Sequence, residues 1–328
     1  MQSTKKKLIL AAIATISLCV TAVSTTFAWF SMNDSAWVDE FKLDIQTTDH
    51  LLIGYADGEF KQSLNKNDVV RAINNLRDEE NQINDLSDIS LSPVTSFDGS
   101  SFQKQMFSYN ELNQTIVSYV EADKNSYVQM RLYFSFSTTT LDAEHQHPEY
   151  ELHFKKPVAE QDGIKATSFK AENQALELIN TLVTPDETKK NGDVIVVNPV
   201  NALRLGVKSS TTDIIIDYSV ENDLGSYAFS DNCQTNAMYT YFNNVHNNCL
   251  KPMDEVGDTD LLKSKLQSDL DASLGTFTYD LVKGNYNTIM VDVTFWIEGF
   301  DADNLIGLKT AALDCLLSFT VTEKETAS

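Results

Sequence analysis

The chain is poor in basic residues and in cysteine, and both shortages exclude classes of protein. It has 25 lysines and arginines against 47 aspartates and glutamates, so its formal net charge is −22. Such a surface repels nucleic acid and anionic lipid, and we exclude both as partners. Four cysteines in 328 residues are too few for a fold built on disulfide bonds. The acidity is typical of a protein that stays soluble outside a cell.

Recognisable catalytic motifs and flexible linkers are also missing. The sequence contains no Gly-rich phosphate loop, no His-Glu-x-x-His helix and no Gly-x-Ser-x-Gly elbow. We therefore predict a protein that is not an enzyme, with a metal-dependent extracellular hydrolase as the alternative. No linker rich in Pro, Gly or Ser divides the chain, so we predict one extracellular domain over residues 29–328. Insertions are expected at about 61–90 and 225–275.

The first thirty residues have the layout of an export signal. Lys5, Lys6 and Lys7 precede an apolar run over residues 8–23, and no acidic residue lies among them. This order of a basic, an apolar and a small-residue region is that of a signal peptide. Cleavage is expected after Ala28, or alternatively after Ala22. We predict a signal over residues 1–28, a signal peptidase as a transient partner, and a secreted or cell-surface location.

An uncleaved anchor is the alternative interpretation of the same segment. Residues 8–30 carry no charge and are long enough to cross a hydrocarbon core of ~30 Å as a helix. In that case the lysines hold the N-terminus inside the cell. The protein then contacts a membrane only through this N-terminal segment.

Alternating apolar and polar residues predict many strands. Phe41, Leu43 and Ile45, followed by Leu51 and Ile53, predict two strands of a half-buried sheet. The clearest strand lies at 126–140, where every second residue from Val128 to Phe136 is apolar. Other strands are predicted at 151–154, 194–197, 202–207, 214–220, 276–282, 289–297 and 313–321.

Helices are predicted only as short insertions. Asn67 and Asp68 are expected to cap a helix whose apolar residues are Val69, Val70, Ile73 and Leu76. Residues 171–182 are expected to form a helical turn or two. Thr259 or Asp260 is expected to cap a second helix with its buried side formed by Leu262, Leu266, Leu270 and Leu274. This pattern indicates an all-β protein, an antiparallel β-sandwich.

A group of histidines and glutamates is the best candidate for metal chemistry. His145, His147, Glu149, Glu151 and His153 all have odd numbers, so they would share one face of a continuous strand. Imidazoles and carboxylates together could hold zinc or copper. Pro148 interrupts such a strand, so we prefer a solvated hairpin loop and predict no cofactor. Acidic runs at 254–260 and 301–304 leave a structural calcium site as a weaker possibility.

The cysteines and aromatic residues give further hypotheses. Cys233 and Cys249 enclose a short loop and are predicted to form a disulfide, which leaves Cys315 free. Trp296 is predicted to belong to the core rather than to stack on a sugar. The Asn- and Tyr-rich stretch at 230–248 is expected to be a surface insertion, and a binding module could recognise a glycan or a host ligand there.

The start of the chain resembles a known family. The segment Thr26-Phe-Ala-Trp-Phe30, then Ser35-Ala-Trp37 and Phe41-Lys-Leu-Asp-Ile45, is similar to the N-terminal region of TasA/camelysin-type secreted proteins of Gram-positive bacteria. The resemblance covers about the first fifty residues. Four later segments resemble exported proteins with the same start: 91–99, 127–136, 201–205 and 295–301.

This resemblance implies a jelly-roll-like sandwich and export by a specialised signal peptidase. It also implies self-association, or association with related matrix proteins, into fibres at the cell surface or in a biofilm matrix. In such fibres the N-terminal strand of one subunit can complete the sheet of a neighbour. The protease activity linked to the camelysin name lacks support here, because the sequence has no zinc-protease helix.

Overall fold

The computed structural model describes residues 40–48, 50–109, 115–137, 147–156, 165–177, 192–217, 257–267, 270–299 and 312–324. Its strands are β1 (Glu40–Thr47), β2 (Leu51–Gly54), β3 (Ser63–Leu64), β4 (Pro93–Val94), β5 (Gln103–Tyr109), β6 (Thr115–Glu121), β7 (Val128–Phe136), β8 (Tyr150–Phe154), β9 (Ser168–Ala171), β10 (Gln174–Glu177), β11 (Val194–Val197), β12 (Leu203–Lys208), β13 (Asp213–Asp217), β14 (Leu266–Gln267), β15 (Gly275–Phe277), β16 (Tyr279–Asp280), β17 (Asn285–Tyr286), β18 (Ile289–Glu298) and β19 (Ala312–Glu323). The helices of this part of the chain are α1 (Lys66–Asn74) and α2 (Thr259–Lys265). The predicted all-β class is confirmed.

Two large sheets contain most of these strands. The first sheet has the order β15-β8-β19-β1-β3, with β9 also paired to β19. The second sheet has the order β14-β13-β12-β18-β7-β2, with β4 also paired to β18. Three further pairs, β5-β6, β10-β11 and β16-β17, form small two-stranded sheets.

The two large sheets pack face to face around the main core. Phe41 of β1 and Phe169 of β9 both contact Phe295 of β18, with ring centroids 6.1 and 5.9 Å apart. Phe134 of β7 contacts Phe319 of β19 at 4.7 Å. Each ring belongs to the inward-facing set of its strand, as the period of two requires. The alternation predicted for β7 is confirmed, since Val128, Met130, Leu132 and Phe134 are all fully buried.

The sheets are mixed, so the prediction of a wholly antiparallel arrangement is wrong. β1 runs parallel to β19, β4 parallel to β18, and β13 parallel to β14. β1 and β2 are both strands, as predicted, but they lie in different sheets. β1 and β2 therefore belong to opposite layers, which alternation along the chain does not reveal.

Helix α1 begins two residues earlier than the sequence predicts. Its N-cap is Asn65, whose side chain accepts hydrogen bonds from the backbone N–H groups of Asn67 and Asp68. Asp68 is the third helical residue, and its carboxylate accepts from the backbone N–H of Asn65 in return. Asn67 and Asp68 are therefore part of the first turn rather than caps. The reciprocal bonds form a capping box.

Removing this cap gives a testable effect on stability. We expect Asn65→Ala to lower the free energy of unfolding by about 1 kcal/mol, because two backbone donors lose their acceptor. Asn67→Ala is the matched control, since its exposed side chain makes no capping contact. Urea denaturation of both variants measures the difference. Equal losses for the two variants would contradict the assigned cap.

Two other predicted helices are wrong or too long. Residues 168–171 and 174–177 form strands β9 and β10 instead of a helical turn. Helix α2 is capped by Asp258 and ends at Lys265. Leu270 and Leu274 are buried as predicted, but they lie beyond the helix, and Leu266 opens strand β14. The regular spacing of the leucines therefore indicates that they are buried, but it does not indicate one continuous helix.

The predicted N-terminal elements lie outside the described residues. These are the signal over 1–28, the alternative anchor over 8–30 and the cleavage positions Ala28 and Ala22. No helix in the described ranges is both long enough and apolar enough to cross a bilayer.

Candidate functional site: the terminal strand and the outer-face cleft

Strand β1 joins the start of the described chain to its end. It pairs in parallel with β19 over its whole length, from Glu40 opposite Ala312 to Thr47 opposite Phe319. Its inward side chains Phe41, Leu43 and Ile45 are 5, 5 and 2% exposed. The strand therefore contributes directly to the main core.

The other edge of β1 is only partly paired. β3 pairs with Ile45 and Gln46 alone. Within the described ranges no strand pairs with residues 40–44 on that side. Unpaired backbone N–H and C=O groups along a strand edge can accept a further strand.

The connection from β1 to β2 is short and holds an unusual backbone conformation. His50 has φ of 67°, in the left-handed region that residues other than glycine seldom adopt. The chain is fixed on both sides of this turn. The Thr47 hydroxyl donates to the Leu51 carbonyl at 2.7 Å, and the Thr48 N–H donates to the Phe319 carbonyl at 3.1 Å.

Cys315 lies on β19 directly opposite Leu43 of β1 and is 3% exposed. It is a free thiol, as predicted. Burial, with a smaller contribution from the charge of Asp314, raises the pKa of the Cys315 thiol well above its ordinary value. While β1 covers it, the thiol therefore reacts poorly with reagents from solution, since the thiolate is the nucleophilic form.

The proposed histidine group does not lie on one strand face. Strand β8 begins only at Tyr150, after Pro148, so His147 and Glu149 precede it. On β8 itself, Glu151 and His153 do face the same way, with their Oε2 and Nε2 atoms 3.5 Å apart. His147 instead stacks on Tyr279, with ring centroids 3.6 Å apart.

These residues have other partners. The Lys324 ammonium donates to a Glu149 carboxylate oxygen at 2.9 Å, which raises the pKa of Lys324. His145 lies outside the described residues. Among the residues that the structure does describe, no group of three His, Cys, Asp or Glu side chains is arranged to hold a metal ion.

Three other features predicted from the sequence lie outside the residues that the structure describes. They are the Cys233–Cys249 disulfide, the 230–248 insertion and the acidic run at 301–304. The acidic run at 254–260 is described only from Gly257. There, Asp258 accepts a hydrogen bond from the Leu261 N–H as the cap of α2.

A buried polar cluster lies on the outer face of the second sheet, which the sequence reasoning missed. Arg204 on β12 is opposite both Trp296 of β18 and Asp217 of β13. Arg204 and Asp217 are 0 and 1% exposed, and their Nη2 and Oδ2 atoms are 3.2 Å apart. The Trp296 indole donates to the buried carboxylate of Glu298 at 2.9 Å.

This cluster is covered by an aromatic layer. The Phe102 ring packs edge-on against Trp296 at 5.4 Å and stacks on Tyr127 at 4.0 Å. Trp296 is thus buried, as predicted, but outside the main core. The signal for a second buried face was available only in the run Ile214-Ile-Ile of β13. Apolar residues at consecutive strand positions indicate burial on both faces.

Next to this cluster the same outer face holds a cleft of about 340 Å³. Its floor is a cross-strand row made by Gln129 of β7, Thr294 of β18 and Gly206 of β12. Its walls include the charged row of Arg131, Asp292, Lys208 and Asp213, and the loop Asp98–Ser100. We call this the outer-face cleft.

The charges of the cleft are paired. Arg131 forms two hydrogen bonds with Asp292, at 2.7 and 2.8 Å, and these raise the pKa of its guanidinium. The Lys265 ammonium donates to Asp213 at 2.8 Å. Burial alone would raise the pKa of Asp98, but hydrogen bonds from the Ser101 and Ser100 N–H groups lower it overall.

Comparison with known proteins gives no relative: no family model, no curated protein and no solved structure matches this chain.

Proposed function

We propose that this is an exported structural protein of the cell surface or biofilm matrix, which assembles by exchanging its N-terminal strand between copies. The finer fold in this proposal is jelly-roll-like. The single observation that carries it is β1, a terminal strand that pairs with β19 and fills part of the core. The signal-like start and the acidic composition support an extracellular site of assembly.

The geometry of β1 suits exchange for a physical reason. All β1–β19 contacts are possible within one chain or between two identical chains, because domain swapping preserves each contact. Which of the two pairings forms then depends on the hinge, the short connection between β1 and β2 that contains His50. A short connection under strain favours opening, and His50 stores that strain as a left-handed conformation. Exchange of β1 between chains releases this strain, and the packing of β1 in the core is kept.

A designed disulfide distinguishes the two pairings. Leu43 lies directly opposite Cys315, so Leu43→Cys places two thiols across the β1–β19 seam. In a Cys233→Ser, Cys249→Ser background, we expect oxidation of assembled protein to give covalent chains of two or more copies on a non-reducing gel. Crosslinks found only within single chains in assembled samples would contradict strand exchange.

Two controls accompany the crosslink. Lys42→Cys faces outward on the same strand, opposite the outward-facing Asp314, and should give no bond with Cys315. His50→Gly removes the conformational strain at the hinge while keeping its length. We expect His50→Gly to shift the crosslinked population towards single chains. No change with His50→Gly would mean that the hinge does not drive exchange.

A surface binding module is the second candidate function, and the outer-face cleft is the observation that favours it. The cleft is concave, lined by polar groups on four strands, and set on a rigid sheet. These are features of ligand sites. The proposed structural role does not require this cleft.

A further inference from the structure

The floor of the outer-face cleft holds two polar side chains that make no hydrogen bond with other residues that the structure describes. Thr294 is 3% exposed, yet its hydroxyl makes no hydrogen bond with any residue of the described ranges. The amide of Gln129, beside it in the same row, likewise makes none within the described part of the chain. The Thr294 side chain lines the cleft, and its hydroxyl is not one of the fully enclosed polar atoms that lack a partner, so it is accessible from the cleft. Thr294 and Gln129 can therefore offer hydrogen-bonding groups to water or a ligand there.

Space above this floor is kept open by a glycine. A Cβ atom added at Gly206 would lie 3.3 Å from Cζ3 of Trp296 and 3.5 Å from the Gly99 carbonyl oxygen. Any larger residue would fill the gap between the sheet and the loop at Asp98–Ser100. The volume of about 340 Å³ is at the lower end for ligand pockets, so it fits one small ring rather than an extended polymer.

The charges of the walls select against charged ligands. Asp292 is paired with Arg131, and Asp213 with Lys208 and Lys265, while the Asp98 carboxylate accepts hydrogen bonds from serine groups of its own loop. The formal charges of these three carboxylates and three cations cancel, and each group is already paired or hydrogen-bonded, so an ion entering the cleft would have to displace a bonded partner. The strongly acidic net charge of the chain, −22, adds to the rejection of anions.

The same paired charges suit hydroxyl groups. Arg131 uses two of its five N–H donors on Asp292, and the carboxylates of Asp213 and Asp292 keep further acceptor positions. A hydroxyl both donates and accepts, so it can bridge a carboxylate and a neighbouring cation through charge-assisted hydrogen bonds. A ligand bearing several adjacent hydroxyls would meet such donor and acceptor pairs on the wall, and Thr294 and Gln129 on the floor.

We propose that the outer-face cleft binds a neutral saccharide unit. Thr294 and Gln129 bind one face of the saccharide. Its hydroxyls bind the charged row of Arg131, Asp292, Lys208 and Asp213. The absence of a side chain at Gly206 leaves space for the ring. This site is distinct from the Asn- and Tyr-rich stretch at 230–248. It does not depend on exchange of β1, since none of its lining residues belongs to β1 or β19.

Saturation-transfer NMR and calorimetry on the purified protein test this site. The probes are the methyl glycosides of glucose, galactose, mannose and N-acetylglucosamine, with glucuronic acid and glucosamine as charged counterparts. We expect saturable binding of at least one neutral sugar, and weaker binding of both charged ones. Absence of saturable binding by every neutral probe, or tighter binding of a charged probe, would overturn the proposal.

Two variants locate the binding within the cleft. Thr294→Val keeps the shape of the side chain and removes the hydroxyl, and we expect an affinity about tenfold lower. Gln129→Ala, at a half-buried position, should also weaken binding and serves if Thr294→Val fails to fold. Thr276→Val on β15 of the other sheet is the matched control and should bind normally. Unchanged affinity in a folded cleft variant would place the sugar elsewhere and refute the site. The Leu43→Cys crosslink leaves the cleft untouched, so the two proposals fail independently.

Discussion

Replacing Asp217 with alanine is expected to lower the free energy of unfolding by about 3–5 kcal/mol. Arg204 and Asp217 are both fully enclosed, so the substitution removes a carboxylate that lies 3.2 Å from the buried guanidinium. The backbone carbonyls of Asn201 and Leu203, which accept from Arg204 at 3.0 Å, are kept in the variant. Urea denaturation followed by tryptophan fluorescence measures the loss.

The second sheet supplies its own control for this prediction. Arg131 and Asp292 form the same kind of pair on neighbouring strands of the same face, but their side chains are 32 and 19% exposed. Water can solvate Arg131 when its partner is removed, so Asp292→Ala should cost about 1 kcal/mol or less. Equal losses for the two alanine variants would mean that enclosure does not decide the effect of the pair.

A double substitution separates the loss of the pair from the penalty of removing only one of two buried charges. Arg204→Met with Asp217→Leu replaces both charges by apolar side chains, and such exchanges are often neutral or stabilising. We expect the double variant to be more stable than Asp217→Ala alone. That recovery would show that the Arg204–Asp217 pair adds little net stability. Its main effect would then be to fix how β12 and β13 are arranged.

The sequence predicts strands best where one face is buried and the other exposed. β7 is the clearest case, since its apolar residues alternate and four of its five inward ones are fully buried. The pattern fails where a strand is covered on both faces. Arg204 and Asp217 occupy outward positions that resemble solvent-facing ones, and only the fold encloses them. Burial of such groups depends on which loops pack above them.

Pairings between distant parts of the chain leave no local pattern. Residues 40–47 pair with 312–319 in parallel, and nothing in either stretch specifies its partner. The outer-face cleft likewise depends on pairing between distant parts of the chain. Gln129, Thr294 and Gly206 are far apart in sequence, and each looks unremarkable within its own strand. They become a site only because β12, β18 and β7 are neighbours in the sheet.

Deleting residues 29–47 is expected to unfold the isolated subunit and to abolish filaments. Phe41, Leu43 and Ile45 each contribute about 1.5–3 kcal/mol by burial, and their sum is comparable with the ~5–15 kcal/mol stability of a typical domain. The loss also exposes β19 as an open edge along eight residue pairs. Circular dichroism and electron microscopy measure the two outcomes.

A synthetic peptide tests whether β1 can act in trans. We expect residues 40–47, Glu-Phe-Lys-Leu-Asp-Ile-Gln-Thr, to restore the fold of the truncated chain and to terminate filaments of the intact protein. The same peptide with aspartate at the position of Leu43 should do neither, because a charge would face Cys315 in the core. Strand exchange would be contradicted if the peptide had no effect on filaments of the intact chain. It would also be contradicted if the truncated chain still formed filaments. A groove that accepts a free strand from solution accepts one from a neighbour by the same contacts, and the N-terminal strand then links subunits by completing the neighbour's sheet in place of its own.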